Sequence, residues 1–591
     1  MRGYRNHWFH FYAIALVVLL CGEAIGQTIT GSISGTVMDH SDAVVPRAKV
    51  TLSNELNGET RETATSDAGE FVFTAMPSGT YTVSVEANGF QTFRRTGIFL
   101  TAVGRLPLGS IRLALGDVTQ TVVVAAQGEG VSTENADITG GVTARQLDQL
   151  VVKGRDPFSL LRTLPGVTTG VFVNGGDKSE LDADGAQSNG GIYGTLTPPI
   201  NGGRMFWNTI TIDGQISSNP DWPGLFEAAV SVDAISELKV TSNNYTAEYG
   251  RNLGATVTLV TKSGAKDFHG GANWFKRHEM FNANDFFNNR NGLPKPLYRY
   301  NSFGFSVGGP IYIPRKFNAG REKLFFFYSQ EEWRTKNPTS PIFITVPTAL
   351  ERNGDFSQTL NQAGSLIPIN DPLTKQPFPG NVIPSSRINP NAQALLSVIP
   401  QPNKFDRSVT QGAYNYQWQD VCITPKRIQG LKTDYLPNSK DRIALGLRRW
   451  WSDDRAFTCF VVGYSNLPLL QHHYNYSTDN ALITWTHIVS PTSTNEFNIG
   501  TVGEKERGQV PGPFPERASN YFDAINRQKV GYKLGQFFGE ANPYGFIPQA
   551  SFSGVPNPPN IAHDGRLPGD QGYLIFNAGD HYSWVRGPHT F

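Results

Sequence analysis

Eleven histidines and three cysteines are the residues of this 591-residue chain best suited to chemistry, and their spacing leaves little for that chemistry to use. A hydrolytic zinc wants His-Glu-x-x-His or a comparable close pair, with a carboxylate near enough to act on the bound water. No histidine here stands in a His-x-x-Glu or His-Glu-x-x-His pattern, and His472 and His473 are adjacent, which is not the spacing of a metal pair. Cys21 falls in an apolar leader, so Cys422 and Cys459 either form one bridge or remain two thiols. No Ser/His/Asp set, phosphate-binding glycine loop or paired-carboxylate spacing stands out. The expectation is a protein that is not an enzyme and needs no cofactor and no metal.

The bulk composition narrows the class further. Lys+Arg 51 against Asp+Glu 50 leaves a formal charge of +1, which gives no reason to expect a nucleic-acid partner. Only 17% of residues are charged, while Gly 61, Pro 38, Phe 37 and Tyr 21 favour many short strands joined by turns. Arg2 and Arg5 precede the apolar run FYAIALVVLL, and Ala24-Ile25-Gly26 stands before Gln27. Residues 1–26 therefore read as a signal peptide, and the rest as exported. No later segment holds the ~18 apolar residues of a membrane helix, so any crossing must be made by strands closed into a barrel.

Three regions must position whatever function there is. Residues 30–115 alternate through GTVMD, AKVTLSN, GEFVFTAM and GTYTVSVEA, broken by Asp-Ala-Gly, Pro-Ser-Gly and Asn-Gly turns. Tyr81, Val83 and Val85 share one face, opposite Thr82, Ser84 and Glu86, as in a half-buried β-sandwich. The stretch TSDAGEFVFTAMPSGTYTVSVEANGF resembles the carboxypeptidase-regulatory-like, or transthyretin-like, module.

Residues 116–264 run from DVTQTVVVAAQ through a stretch with helical spacing, VTARQLDQLVVKGRDPFSLLRTLPGV, and a Gly/Asn-rich segment. ITIDG, DAISELKV, AEYG and GATVTLVTK follow. That order resembles the plug domain of TonB-dependent outer-membrane receptors, closest to the Oar-like type, which carries a regulatory-like module ahead of the plug. Leu150-Val-Val-Lys-Gly-Arg155 departs from the Leu-Pro-Leu-Asn-Gly-Arg type stretch of those receptors. The resemblance implies an α+β plug with Asp213, Gly214, Tyr249, Gly250, Arg251 and Gly254 in its motifs. Gly250, Gly254 and Ala255 permit close backbone approach in the last plug strand. It also implies that Thr121, Val122, Val123, Val124 and Ala125 form a TonB box, extended by β-branching and captured by β-augmentation. The same five residues fit the final strand of the preceding sandwich, and both readings stand. Arg204, Asp213, Glu237 and Arg251 are candidate plug–barrel contacts or solvated charges.

Residues 265–591 alternate as a barrel wall does. Phe303, Phe305 and Val307 oppose Ser302, Gly304 and Ser306; Ile443, Leu445 and Leu447 oppose Ala444, Gly446 and Arg448; Phe497 and Ile499 oppose Glu496, Asn498 and Gly500. KLFFFYSQ is apolar on both faces, so its register is open. Strands are expected near 267–278, 298–309, 323–334, 426–436, 441–451, 480–489, 494–503 and 572–585. The resemblance implies closure with about 22 strands, so about eight strands lead to the expectation of an incomplete receptor. Short turns at PNSKD and SPTS suit the periplasmic side. Long connections such as residues 334–425 suit the outside. The Asn- and aromatic-rich stretches FNANDFFNNRNG and QHHYNYSTDN read first as polar loop filler, with contact to a sugar, peptide or chelate as the alternative.

The fold class expected is thus mainly β: a transthyretin-like β-sandwich, an α+β plug domain, then part of an antiparallel transmembrane β-barrel. The function implied by the resemblance is a receptor or transporter that imports an extracellular ligand with energy from the periplasmic TonB complex. The alternative is a structural or adhesive outer-membrane protein without transport.

Overall fold

The computed structural model describes residues 29–116, 121–125, 138–150, 155, 157–168, 199–204, 207–218, 230–243, 252–284, 286–290, 292, 294–339, 341–457, 465–470, 472–508, 522–562, 569–586 and 589–591. Alternation in the first region becomes two sheets. β1 (Gly31–Met38), β4 (Glu70–Met76) and β7 (Arg105–Arg112) lie in the order β4-β1-β7. β2 (Lys49–Asn54), β3 (Thr60–Ala64), β5 (Gly79–Glu86), β6 (Thr92–Leu100) and β8 (Thr121–Ala125) lie in the order β3-β2-β5-β6-β8. Ile33, Val37, Val50, Leu52, Phe71, Phe73, Tyr81 and Val83 fill the space between. The buried Tyr81 hydroxyl donates to Pro77 O at 2.7 Å, so the ring sits inside without an orphaned polar atom. Gly69 closes the Asp-Ala-Gly turn at φ 73°, where a Cβ would stand 2.7 Å from Val37 O.

The second region forms a five-stranded sheet of β9 (Ile138–Thr143), β10 (Thr209–Ile212), β11 (Gln215–Ile216), β12 (Ile235–Asn243) and β13 (Thr256–Thr261), in the order β11-β10-β13-β12-β9. β10 and β13 are parallel and the other pairings antiparallel. A short helix (Ala144–Gln149) begins with a capping box, Thr143 N donating to Gln146 Oε1 at 2.8 Å. Its Leu147 packs with Phe158, Leu161, Ile210, Leu238, Val257 and Leu259. Phe327, from the third region, completes that core.

The third region builds one large antiparallel sheet. β14 (His269–His278), β15 (Arg299–Pro310), β16 (Leu324–Pro338), β19 (Val421–Tyr435), β20 (Asp441–Ala456), β21 (His472–Ser490), β22 (Ser493–Gly508), β25 (Gly569–Arg586) and β26 (His589–Thr590) follow in that order, and the sheet is not closed. All eight expected wall strands are present and most run long. β21 reaches 19 residues, against roughly 10 needed for a tilted crossing. Its additional residues, HHYNYSTDN, are polar, so pairing continues past the apolar band. The open register of KLFFFYSQ resolves with Phe325, Phe327, Ser329 and Glu331 buried on the inner face. Both faces of that stretch are apolar because Phe327 joins the middle unit's core.

At one end of the sheet the strands are joined by short turns, as between β19 and β20 and between β21 and β22. At the other end the connections are long and were expected to be loop or filler. They are instead a folded cap. It contains β17 (Ile342–Ile344) paired with β18 (Tyr416–Trp418), β23 (Ala550–Ser551) paired with β24 (Asn560–Ile561), and a helix over Pro390–Ser397. Ile344, Ile399, Leu467, Phe522, Ile525 and Ile547, drawn from three separate connections, share one buried core. Among the described residues no helix is long and apolar enough to cross a membrane. Cys422 is buried and disulfide-bonded; the other two cysteines, Cys21 and Cys459, lie outside the described residues.

Candidate functional site

Charge is concentrated where the middle unit meets the inner face of the large sheet. β10 and β11 are joined by Asp213 and Gly214, at φ 50° and 88°, as a two-residue type I′ hairpin requires. That turn pushes the Asp213 carboxylate against the wall. It accepts from Thr261 N at 2.9 Å and Thr261 Oγ1 at 2.7 Å within the middle unit. From the wall it accepts from Lys432 Nζ of β19 and Arg448 NH2 of β20, each at 3.3 Å. Burial alone would raise its pKa, but the two cations and the Thr261 hydrogen bonds outweigh burial and hold the carboxyl down to about 2. Lys432 also donates to Thr261 O at 3.0 Å, so one wall residue grips two strands of the unit.

A second cluster reverses the arrangement, with the cation on the middle unit. Arg155 donates to Glu331 Oε1 of β16 at 2.5 Å, pairs with Asp233 at 2.9 Å and lies 4.8 Å over the Phe275 ring. Glu331, almost fully buried, accepts also from Ser302 Oγ, Trp333 Nε1 and Ser231 Oγ, each at 2.7 Å. Burial works against the Arg155 charge, yet Glu331 and Asp233 outweigh it and raise its pKa further. One strand beyond the Asp213 cluster, Gln215 Nε2 reaches Ala481 O of β21 at 3.2 Å. Gly500 makes room for it, since a Cβ there would meet Gln215 Nε2 at 2.6 Å.

The expected site residues divide. Asp213 and Gly214 sit at the contact just described. Gly254 permits the close approach expected of it: a Cβ would fall 2.4 Å from Asn208 Oδ1. Tyr249, Gly250 and Arg251 lie outside the described residues. Glu237 accepts from Ala102 N of the N-terminal module at 2.8 Å, while Lys239 Nζ donates to Ala102 O at 2.7 Å. Arg204 is exposed and lies 5.5 Å over Trp207 of its own unit. Thr121–Ala125 is strand β8, parallel to β6 at the end of the sandwich's larger sheet, which is the second of the two readings left open. Arg155, Asp233, Glu331 and Lys432 were not singled out. For Glu331 and Lys432 the available signal was a charge in the inward phase of a wall strand; Arg155 and Asp233 belong to the middle unit and carry no such mark. Among the described residues no group of three or more His, Cys, Asp and Glu is placed to hold a metal.

A sheet whose polar phase faces inward and whose apolar phase faces outward defines an outer-membrane β-barrel protein. Residues 260–591 match the model of the outer membrane beta barrel domain, and residues 32–114 that of the carboxypeptidase regulatory-like domain. The chain belongs to the outer membrane beta barrel domain family and is located in the outer membrane. It is 28% identical over 328 residues to the TonB-dependent transporter Oar of Myxococcus xanthus. That stretch covers 53% of this chain and 27% of the relative, so the chain matches about a quarter of the relative's length. The resemblance to Oar-like TonB-dependent receptors stands on this match together with the regulatory-like domain. The solved structures it matches include the outer membrane transporter YddB of Escherichia coli, at 10% identity and TM-score 0.38, covering 63% of this chain and 39% of that one. The siderophore receptor PirA of Acinetobacter baumannii is similar at 11% identity and TM-score 0.36, covering 76% of this chain and 45% of that one.

Proposed function

We propose that this chain acts as a TonB-dependent outer-membrane receptor that binds an extracellular ligand and imports it with energy from the periplasmic TonB complex. In this reading residues 1–26 are the leader, 30–115 the regulatory-like module, 116–264 the plug and 265–591 barrel wall. The observation that carries it is the middle unit's attachment to inward-facing wall residues through two buried charge clusters, at Asp213 and at Arg155. Such attachments hold a plug without covalent bonds and can be rearranged by traction. β8 is the proposed grip. As the last strand in its sheet, it presents an edge that a partner strand can extend by backbone hydrogen bonds.

The test is capture of the detergent-solubilised chain by a purified periplasmic TonB domain. The parent chain is expected to bind, and deletion of Thr121–Ala125 to reduce binding at least tenfold. Equal capture of both chains would overturn the coupling role. The folded cap supports a second reading as well, adhesion without transport, because a built surface at that end serves recognition in either case. Deletion of residues 121–125 would leave adhesion intact and abolish energy-dependent uptake.

A further inference from the structure

The N-terminal module is joined both to the middle unit and to the wall, through buried polar groups at each joint. On the middle unit, Glu237 and Lys239 stand two residues apart on β12 and so project from one face. They hold both backbone groups of Ala102: its N–H donates to Glu237 Oε2 at 2.8 Å, and its carbonyl accepts from Lys239 Nζ at 2.7 Å. All three residues are buried. Ala102 stands two residues past Leu100, the last residue of β6 and a member of the module's core.

On the wall, the Thr74 hydroxyl of β4 meets that of Thr494 on β22 at 2.8 Å, and both residues are buried. Arg442, at the start of β20, pairs with Asp434 at 2.6 Å and also feels the charge of Glu59 and the Tyr81 hydroxyl of the module. Where the chain passes from β13 to β14, Lys266 N donates to Leu56 O at 3.3 Å. Phe73 and Met76, on either side of Thr74, belong to the same core as Leu100. The two joints are therefore connected through a close-packed interior, which passes displacement on instead of absorbing it. We infer that the N-terminal module braces the middle unit against the wall, holding β12 to β20 and β22 in series through Ala102, the module's core, and Thr74 with Glu59. The clusters at Asp213 and Arg155 contain no residue of β12, so the brace secures a strand that they leave alone. Its use under traction rests on the transport reading above; the bracing itself does not.

The test is hydrogen–deuterium exchange of the full chain in detergent, read at the amides of β12. Thr74→Val with Glu59→Gln cuts the wall joint and touches nothing on β12, yet β12 is expected to exchange at least tenfold faster than in the parent. Glu237→Met with Lys239→Met cuts the other joint and is expected to have a similar effect. Because the joints act in series, all four substitutions together are expected to add nothing further. An oxidised Thr74→Cys/Thr494→Cys bridge, added to Glu59→Gln, is expected to return β12 to the parent rate. The same bridge is expected to rescue nothing in the Glu237→Met/Lys239→Met chain, whose break lies on the other side of the module. β2 and β5 are expected to keep their protection throughout, which separates loss of the brace from unfolding of the module. Unchanged exchange on cutting the wall joint, additive effects of the two cuts, or loss of protection in β2 and β5 overturns the inference. Neither TonB nor a ligand takes part, so failure of TonB capture and failure of the brace are separate results.

Discussion

β5 of the N-terminal module and β15 of the wall have the same two-residue rhythm and opposite interiors. In β5 the apolar phase is shut away, with Tyr81 at 1% and Val83 and Val85 at 0% exposure. In β15 the apolar phase faces out, with Phe303 at 37% and Phe305 at 45%, while Ser302 is at 0%. Alternation therefore reports a strand with two unlike faces and leaves open which face lies inside. The decision comes from chemistry in the polar phase. Thr82 finds Glu55 within its own module, at 2.8 Å, and Glu86 stands exposed to water. Glu331, Lys432 and Arg448 need partners, and they find them on a unit packed against the inner face.

The sharpest way to break this contrast is Glu331→Ala. Arg155, Ser302, Trp333 and Ser231 would lose their common acceptor, and Arg155 would keep Asp233 as its ion-pair partner and the Phe275 ring beneath it. A loss of about 3–5 kcal/mol is expected in urea unfolding followed by tryptophan fluorescence. An unchanged midpoint would mean that the inward charges are not structural. Next in size is Phe305→Arg, an outward wall position. Reversible unfolding in lipid vesicles should show a loss of about 2–4 kcal/mol if the position lies near the bilayer midplane.

The third effect is set by pH. Asp213 has its folded pKa depressed from 3.8 to about 2, so its contribution is complete above the unfolded value and is lost as pH falls from about 4 towards 2. The difference corresponds to about 2 kcal/mol. Asp213→Asn should flatten the acid limb of the unfolding curve over that window; an unaltered limb would remove the ion pairs from the account. The smallest effect is Ser84→Arg, on the wet face of the module. It is expected to shift the module's thermal midpoint by no more than about 0.5 kcal/mol allows. A loss matching that of Phe305→Arg would erase the distinction between the two strands.

Much of the architecture was legible because period-2 alternation and Gly-containing turns are local properties of the chain. The eight wall strands, the sandwich and the Asp213-Gly214 turn all follow from neighbours within a few residues. Register in KLFFFYSQ was not legible, because Phe327 is apolar on behalf of a unit elsewhere in sequence. The Arg155–Glu331 pair was hidden for the same reason, its members being 176 residues apart. The contact of Glu237 with Ala102 of the N-terminal module was not legible, since its place on β12 does not reveal which neighbour lies beyond the sheet. The cap was missed because each connection supplies only a few apolar residues, and none of them alone has a periodic pattern.

That interlocked far end has an evolutionary corollary. Trp418 Nε1 donates to Asn466 O at 2.9 Å and Asn466 Nδ2 to Pro558 O at 2.9 Å, which ties three distant stretches into one body. A rim residue such as the fully exposed Phe537 can change singly without disturbing that body. The buried staples beneath it must change in concert or stay as they are.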